Sequence, residues 1–198
     1  MMETRNQTAD YLPWSEFKRL VNTLYEDKNY RYCLLIVIGV YFGLRISDVK
    51  RIRWEDILNN EYIIMKEKKT HNTAKRREIP VSKNLQEFVF DIYQRTRPRS
   101  KFIVTISASR GGTNTINETF KRLKHKHNLQ INHFTTHSLR KTFGRHYLET
   151  HNYSARAILM LNDIFNHSSL ADTKRYFGIT KEEINEVYSQ VGEKVLQL

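Results

Sequence analysis

Trp14, Phe17, Val21 and Leu24 recur every three to four residues, the period of one helix face, and Pro13 just before them suits a first helical turn. A continuous apolar run from Cys33 to Val40, extended by Tyr41 and Phe42, predicts a buried helix that begins near Tyr30 and stops at Gly43. A new helix is predicted from Ser47, read as its N-cap. Tyr62 to Met65 and Glu78 to Val81 are short β-compatible runs around the polar segment Lys66 to Arg77, which predicts a hairpin with a long basic tip. Helices are expected over about 84–95, 114–126, 137–150 and 155–165. Thr180 and Glu183 form a capping-box pair that opens a last helix, with Ile184, Val187, Val191 and Val195 along one face. The expected fold is α+β, mainly α: a helical domain over residues 12–178 with a small antiparallel sheet, an N-terminal tail over 1–11 and a C-terminal helical segment over 179–198.

The apolar run is far shorter than the roughly 18 residues that a membrane-spanning helix needs. Composition adds a constraint on partners. Lys and Arg number 33 against 21 Asp and Glu, a net charge of +12, which is costly self-repulsion in 198 residues unless a polyanion relieves it. The distribution is more telling than the total. No acidic residue lies between Glu118 and Glu149, whereas Lys121, Arg122, Lys124, Lys126, Arg140, Lys141 and Arg145 do. A second basic block holds Lys66, Lys68, Lys69, Lys75, Arg76 and Arg77. Such stretches suit a surface that tracks phosphates, because released counterions drive binding without any reading of bases. The segment carrying Glu182, Glu183, Glu186 and Glu193 is not expected to face the same polyanion.

Several chemistries are missing. The sequence holds no P-loop, no GxSxG elbow, no HExxH pair and no carboxylate cluster spaced for magnesium. One cysteine, Cys33, excludes a disulfide framework and a cysteine-ligated zinc site, and fits a reducing, intracellular setting. His133 and His137 have the separation of two ligands on a helix, but Thr135 and Thr136 read as the helix start and no third ligand stands out, so no metal is assigned.

Four patterns remain: Gly43-Leu44-Arg45-Ile46-Ser47-Asp48-Val49 at a turn between helices, Lys68-Lys69-Thr70 on the hairpin, His137-Ser138-Leu139-Arg140 opening a helix, and Asn166-His167-Ser168-Ser169 followed by Tyr176. In this order they resemble the tyrosine recombinase (phage integrase) family of site-specific DNA recombinases, over nearly the whole chain. The resemblance implies that Arg45 and Arg140 clamp the scissile phosphate, that Tyr176 attacks it to leave a 3′-phosphotyrosyl link, that His137 is the acid/base histidine, and that His167 supports the phosphate. Lys69 matches the family's general-acid lysine, with Lys68 one register step away as the competitor. The residue types make chemical sense. Guanidiniums stay charged and donate in planar forks to the equatorial oxygens of a phosphoryl transition state. A free phenol with a pKa near 10 needs about 4 kcal/mol to ionise at pH 7, so nearby cations or a base must help.

The resemblance further implies double-stranded DNA as partner, with Lys66, Lys68, Lys75, Arg76, Arg77, Lys121, Arg122, Lys124, Lys141 and Arg145 on its backbone. It implies self-association on DNA, dimer to tetramer, through the final helix, with accessory DNA-bending proteins as further candidates. No cofactor, metal or ATP is implied, and the expected location is cytoplasmic, with the nucleoid. Two departures stand out. The pattern begins near residue 12, without the family's usual N-terminal helical domain, as in an excised catalytic domain or a short member such as the fimbrial inversion recombinases. Asn166 stands where a glycine commonly precedes the histidine. The rival readings are a type IB topoisomerase, a non-catalytic DNA-binding regulator that kept the fold, and a metal-dependent nuclease, the last disfavoured by the missing carboxylates.

Overall fold

A computed structural model describes residues 9–66, 76–105 and 112–178, with the side chains of Lys66 and Arg76 left aside. The elements in chain order are α1 (Trp14–Glu26), α2 (Tyr30–Phe42), α3 (Ile46–Val49), α4 (Trp54–Leu58), β1 (Tyr62–Lys66), β2 (Arg76–Pro80), α5 (Lys83–Thr96), α6 (Thr113–Lys126), α7 (Thr136–Thr150), α8 (Ala155–Phe165) and α9 (Leu170–Phe177). The architecture is mainly helical with one two-stranded antiparallel sheet, as the sequence predicts. The chain divides into two compact units, Met1–Phe143 and Gly144–Leu198, with the boundary inside α7.

In the first unit, α2 is the central element. Cys33, Leu34, Leu35, Ile36, Ile38, Val40 and Phe42 are all buried, which is why its sequence shows no polar face. Helix α1 contributes Leu20 and Leu24 to the same core, and Trp14, Phe17 and Val21 pack at its margin. Gly39 lets α7 approach α2 closely: a Cβ there would lie 2.5 Å from Leu139 Cδ1. Helix α2 ends at Gly43, whose φ of 57° and ψ of 24° place it in the left-handed region that glycine adopts without a steric cost.

Two element starts and two short helices differ from the sequence reading. Helix α3 starts two residues earlier than Ser47 implied, with Arg45 at the N-cap position in extended conformation. Strand β2 begins at Arg76, because Lys66 pairs with Arg76 and Met65 with Arg77 in the ladder. Arg76 and Arg77 therefore belong to the strand and not to the tip. The short helices α4 and α9 carry no counterpart in the predicted elements. The tip itself, with Lys68, Lys69, Thr70 and Lys75, and the final segment from Thr180 onward lie outside the described residues.

In the second unit, α8 and α9 pack together, burying Ala157, Leu161, Phe165, Thr173 and Phe177. Gly144 has a strict steric role, since a Cβ there would sit 2.0 Å from Phe177 Cε1 and 2.2 Å from its Cζ. Only a hydrogen at that position admits the ring.

Candidate active site

The first unit assembles three of the expected residues. The left-handed Gly43 and the buried Leu44 turn the chain sharply out of α2 and set Arg45, half-buried, at the head of α3. The entrance of α7 is fixed by side chains that satisfy its unpaired backbone groups. The Thr136 N–H donates to Asn117 Oδ1 at 3.0 Å, the Thr135 N–H donates to Ser138 Oγ at 3.0 Å, and the Ser138 hydroxyl donates to the His133 carbonyl at 3.1 Å. Phe120 of α6 stacks on Phe134 with centroids 4.4 Å apart, which ties this entrance to the core. His133 thus lies ahead of α7, so the helical ligand pair that its spacing with His137 suggested does not form.

Arg140 is 3% exposed, and its Nη1 donates to the Gly43 carbonyl at 2.6 Å. A charged donor on a helix-terminal carbonyl offsets part of the cost of burying the guanidinium. It also joins α7 to the turn that carries Arg45, two residues beyond Gly43. His137, one turn before Arg140, faces solvent on one side. The protein around it, and after that the charges of Arg140, Arg45 and Lys141, hold its pKa below the ordinary histidine value. Burial and these charges thus both favour the neutral form of the His137 ring.

The second unit presents His167 and Tyr176. Helix α9 is capped by Ser169, whose Oγ accepts the Asp172 N–H at 3.1 Å. The Asp172 carboxylate accepts from the hydroxyls of Ser168 and Ser169 and from Arg175, and these bonds hold its pKa below the usual carboxylate value. The Tyr176 ring lies edge-on to His167 at 5.2 Å between centroids, with Phe165 at 6.1 Å. His167 Nδ1 meets the buried Thr173 hydroxyl at 2.9 Å, and that hydroxyl donates to Asn162 Oδ1 at 2.9 Å. Thr173, Asn162 and Gly144 were not singled out in the sequence. A glycine inside a predicted helix was the available signal for the last of them.

The basic residues divide by their surroundings. Lys121 pairs with Glu118 at 2.8 Å, Lys126 with Asp27 at 2.8 Å and Arg145 with Glu149 at 3.2 Å, all with exposure enough for solvent to weaken the pair. Arg145 also lies 4.9 Å from the centre of the Tyr153 ring. Arg122 donates to Thr119 Oγ1, and Lys124 to the Asn132 carbonyl. Lys141 is half-buried; desolvation lowers its pKa and Asp10 opposes that shift. Arg77 is half-buried in β2, and among the described residues no group of three or more His, Cys, Asp or Glu is placed to hold a metal ion.

A family model described as the phage integrase family matches residues 10–183. The chain belongs to the phage integrase family. Its tyrosine recombinase fold is similar to that of XerA recombinase, with a TM-score of 0.64 at 24% identity, covering 94% of this chain and 66% of that one. XerH site-specific recombinase in a post-cleavage complex with a palindromic difH substrate gives a TM-score of 0.65 at 17% identity, covering 96% of this chain and 55% of that one. A lambda integrase dimer bound to a COC′ core site gives 0.61 at 18%, covering 89% and 50%. The chain thus spans two thirds or less of these solved recombinases. In sequence it is 28% identical over 167 residues to the probable integrase/recombinase YoeC of Bacillus subtilis (strain 168), covering 84% of this chain and 87% of that protein. The one departure from the family pattern at this integrase's histidine has a conformational answer. Asn166 adopts φ 50° and ψ 49° at the end of α8, the left-handed geometry that glycine would take and that asparagine tolerates.

Proposed function

We propose that this chain is the catalytic part of a site-specific DNA recombinase that cleaves and rejoins double-stranded DNA through a 3′-phosphotyrosyl intermediate, without metal or ATP. The observation that supports this most is that Arg45, Arg140 and Lys141 all bring their charges to His137. Each of these charges acts on His137, and a bound phosphodiester would answer all three. The forks of Arg45 and Arg140 suit its equatorial oxygens, whose charge rises in the transition state.

The Tyr176 oxygen forms a bond to phosphorus as the bond to the 5′-oxygen breaks. The phenol proton goes to a base, for which His137 is our assignment, and the leaving 5′-oxygen takes a proton from Lys69, or from Lys68 if the hairpin is shifted by one residue. Attack by a second 5′-hydroxyl reverses these steps and joins a new partner strand, the bond energy having been kept in the phosphotyrosine. The chemistry is the same whether Tyr176 serves the arginines of its own chain or those of a second copy. Lys66, Lys75, Arg76, Arg77, Lys121, Arg122, Lys124, Lys141 and Arg145 are proposed to hold the DNA backbone. Assembly on DNA through the final segment, accessory DNA-bending proteins and a place on intracellular DNA belong to the same proposal.

The test uses nicked duplexes tiled across the DNA that flanks the chain's own reading frame, with chelator present. A protein–DNA adduct that survives denaturation is expected, and Tyr176→Phe is expected to abolish it. An adduct formed equally well by Tyr176→Phe refutes the nucleophile, and adducts that need a divalent metal refute the mechanism. Adducts that are only resealed, with no exchange to a different partner duplex, favour the topoisomerase reading.

A further inference from the structure

We infer that Thr173 and Asn162 are positioning residues for His167: the chain Asn162, Thr173, His167 fixes the imidazole as the Nδ1–H tautomer, so that Nε2 is the atom that exchanges protons or hydrogen bonds with the reacting phosphate. The tautomer follows from counting protons. A threonine hydroxyl has one hydrogen and two lone pairs. The Thr173 hydroxyl spends its hydrogen on an oxygen acceptor, Asn162 Oδ1 at 2.9 Å, with the Ser169 carbonyl at 3.5 Å as the longer alternative. Neither carbonyl oxygen can donate. With Asn162 Oδ1 turned to Thr173, the 2.9 Å contact between Thr173 Oγ1 and His167 Nδ1 is a bond that the ring nitrogen donates.

The setting makes this orientation rigid. Thr173 is 0% exposed, so no water competes for its oxygen, and it lies on α9 one turn before Tyr176. Asn162 belongs to α8, and its main-chain carbonyl accepts the His167 main-chain N–H at 3.1 Å. The ring is further bounded by Phe165 at 5.7 Å and Tyr176 at 5.2 Å between centroids. A partner that fixes one ring nitrogen decides which tautomer the other nitrogen shows to its surroundings. With the Nδ1 proton held, neutral His167 presents a lone pair at Nε2 and cationic His167 presents a donor there. A Nε2–H tautomer would offer a donor in both states.

This inference rests on the proposed role of His167 in cleavage, and the test separates the two. Long-range nitrogen–proton NMR spectra of the full chain at about pH 8, above the ordinary histidine pKa, report the tautomer directly, with the signals assigned by their loss in His167→Gln. Wild type and Thr173→Ser are expected to show a protonated Nδ1 and an unprotonated Nε2, and Thr173→Val is expected to lose that pattern. Adduct formation on the tiled nicked duplexes is expected to fall roughly tenfold or more in Thr173→Val, and Thr173→Ser to restore most of it. A proton on Nε2 in the wild type overturns the inference without any variant, as does an unchanged tautomer in Thr173→Val. A shifted tautomer with an undiminished adduct rate overturns the positioning role where His167→Gln is itself slow. If His167→Gln cleaves like wild type, the role of His167 in cleavage is refuted, and the spectra still decide the proton chain.

Discussion

The seat of Phe177 on Gly144 allows a sharp separation of catalysis from stability. Gly144→Ala places a methyl carbon 2.0 Å from Phe177 Cε1, 2.2 Å from Cζ and 2.9 Å from Cδ1. Carbon atoms rest at about 3.5 Å, so the ring must withdraw by about 1.5 Å. It has little room to do so by rotation, being buried and stacked at 5.2 Å on Phe165. The displacement therefore passes to α9 and to Tyr176, the adjacent residue. Overpacking of this kind costs about 1–3 kcal/mol, and alanine in a helix interior returns about 1 kcal/mol relative to glycine. The net loss of stability is about 0–2 kcal/mol, whereas an ångström of misplacement at a reacting atom can cost on the order of a hundredfold in rate.

Urea unfolding should thus show a modest shift while adduct formation falls by about two orders of magnitude. Phe177→Leu added to Gly144→Ala should recover more activity than either single change predicts, since the two share one space. Gly39→Ala is the control. Its clash, 2.5 Å to Leu139 Cδ1 and 3.3 Å to Leu139 Cβ, lies on α2 and α7 away from Phe177, so Phe177→Leu should not recover what Gly39→Ala loses. A Gly144→Ala protein that cleaves at the wild-type rate would refute the claim that this glycine sets the position of Tyr176.

Other outcomes follow from single residues. Because the folded pKa of His137 lies below its unfolded value, the folded state binds fewer protons between the two values and stability falls as pH drops through about 6.5 towards the folded pKa. His137→Gln should therefore gain stability relative to wild type on acidification, in urea melts at matched pH. DNA should raise that pKa by answering the charges of Arg45 and Arg140, so calorimetry in buffers of different ionisation enthalpy should detect proton uptake on binding just below neutrality. Burial pushes the Cys33 thiol up to about 12, so a thiol reagent should label the folded protein only as fast as it opens, and rapidly in urea. Mixing Tyr176→Phe with Arg140→Ala restores adducts if one copy's tyrosine acts at another's arginines, and leaves the mixture inactive if each chain serves itself. DNA affinity should fall steeply with salt, and a flat response in filter binding would refute the phosphate-contact assignment.

What the sequence disclosed depended on how each feature is built. The core helix α2 was legible because every turn of it is apolar and a glycine ends it, and Ala155–Phe165 because its pattern keeps the helical period. Helix α9 was not, since its inward side holds only Thr173 and Phe177 among polar neighbours. The pair Ser169 and Asp172, a serine followed three residues on by an acid, was the start signal to be read there. Strand β2 was placed late because Arg76 and Arg77 enter the ladder through their backbone, which side-chain patterns do not register. The arginines, histidines and tyrosine could be singled out by order alone, while the Thr173 bridge depends on two helices meeting and leaves no periodic trace.

The bond from Arg140 to the Gly43 carbonyl has a consequence for how such a protein decays. Losing that side chain strands a buried helix-end acceptor, a loss of about 1.5–3 kcal/mol against a total stability of about 5–15 kcal/mol. An Arg140 substitution would thus remove the proposed phosphate clamp and thin the fold at once. Copies mutated at Arg140 would be more open to proteolysis, and fewer of them would linger as inert protein.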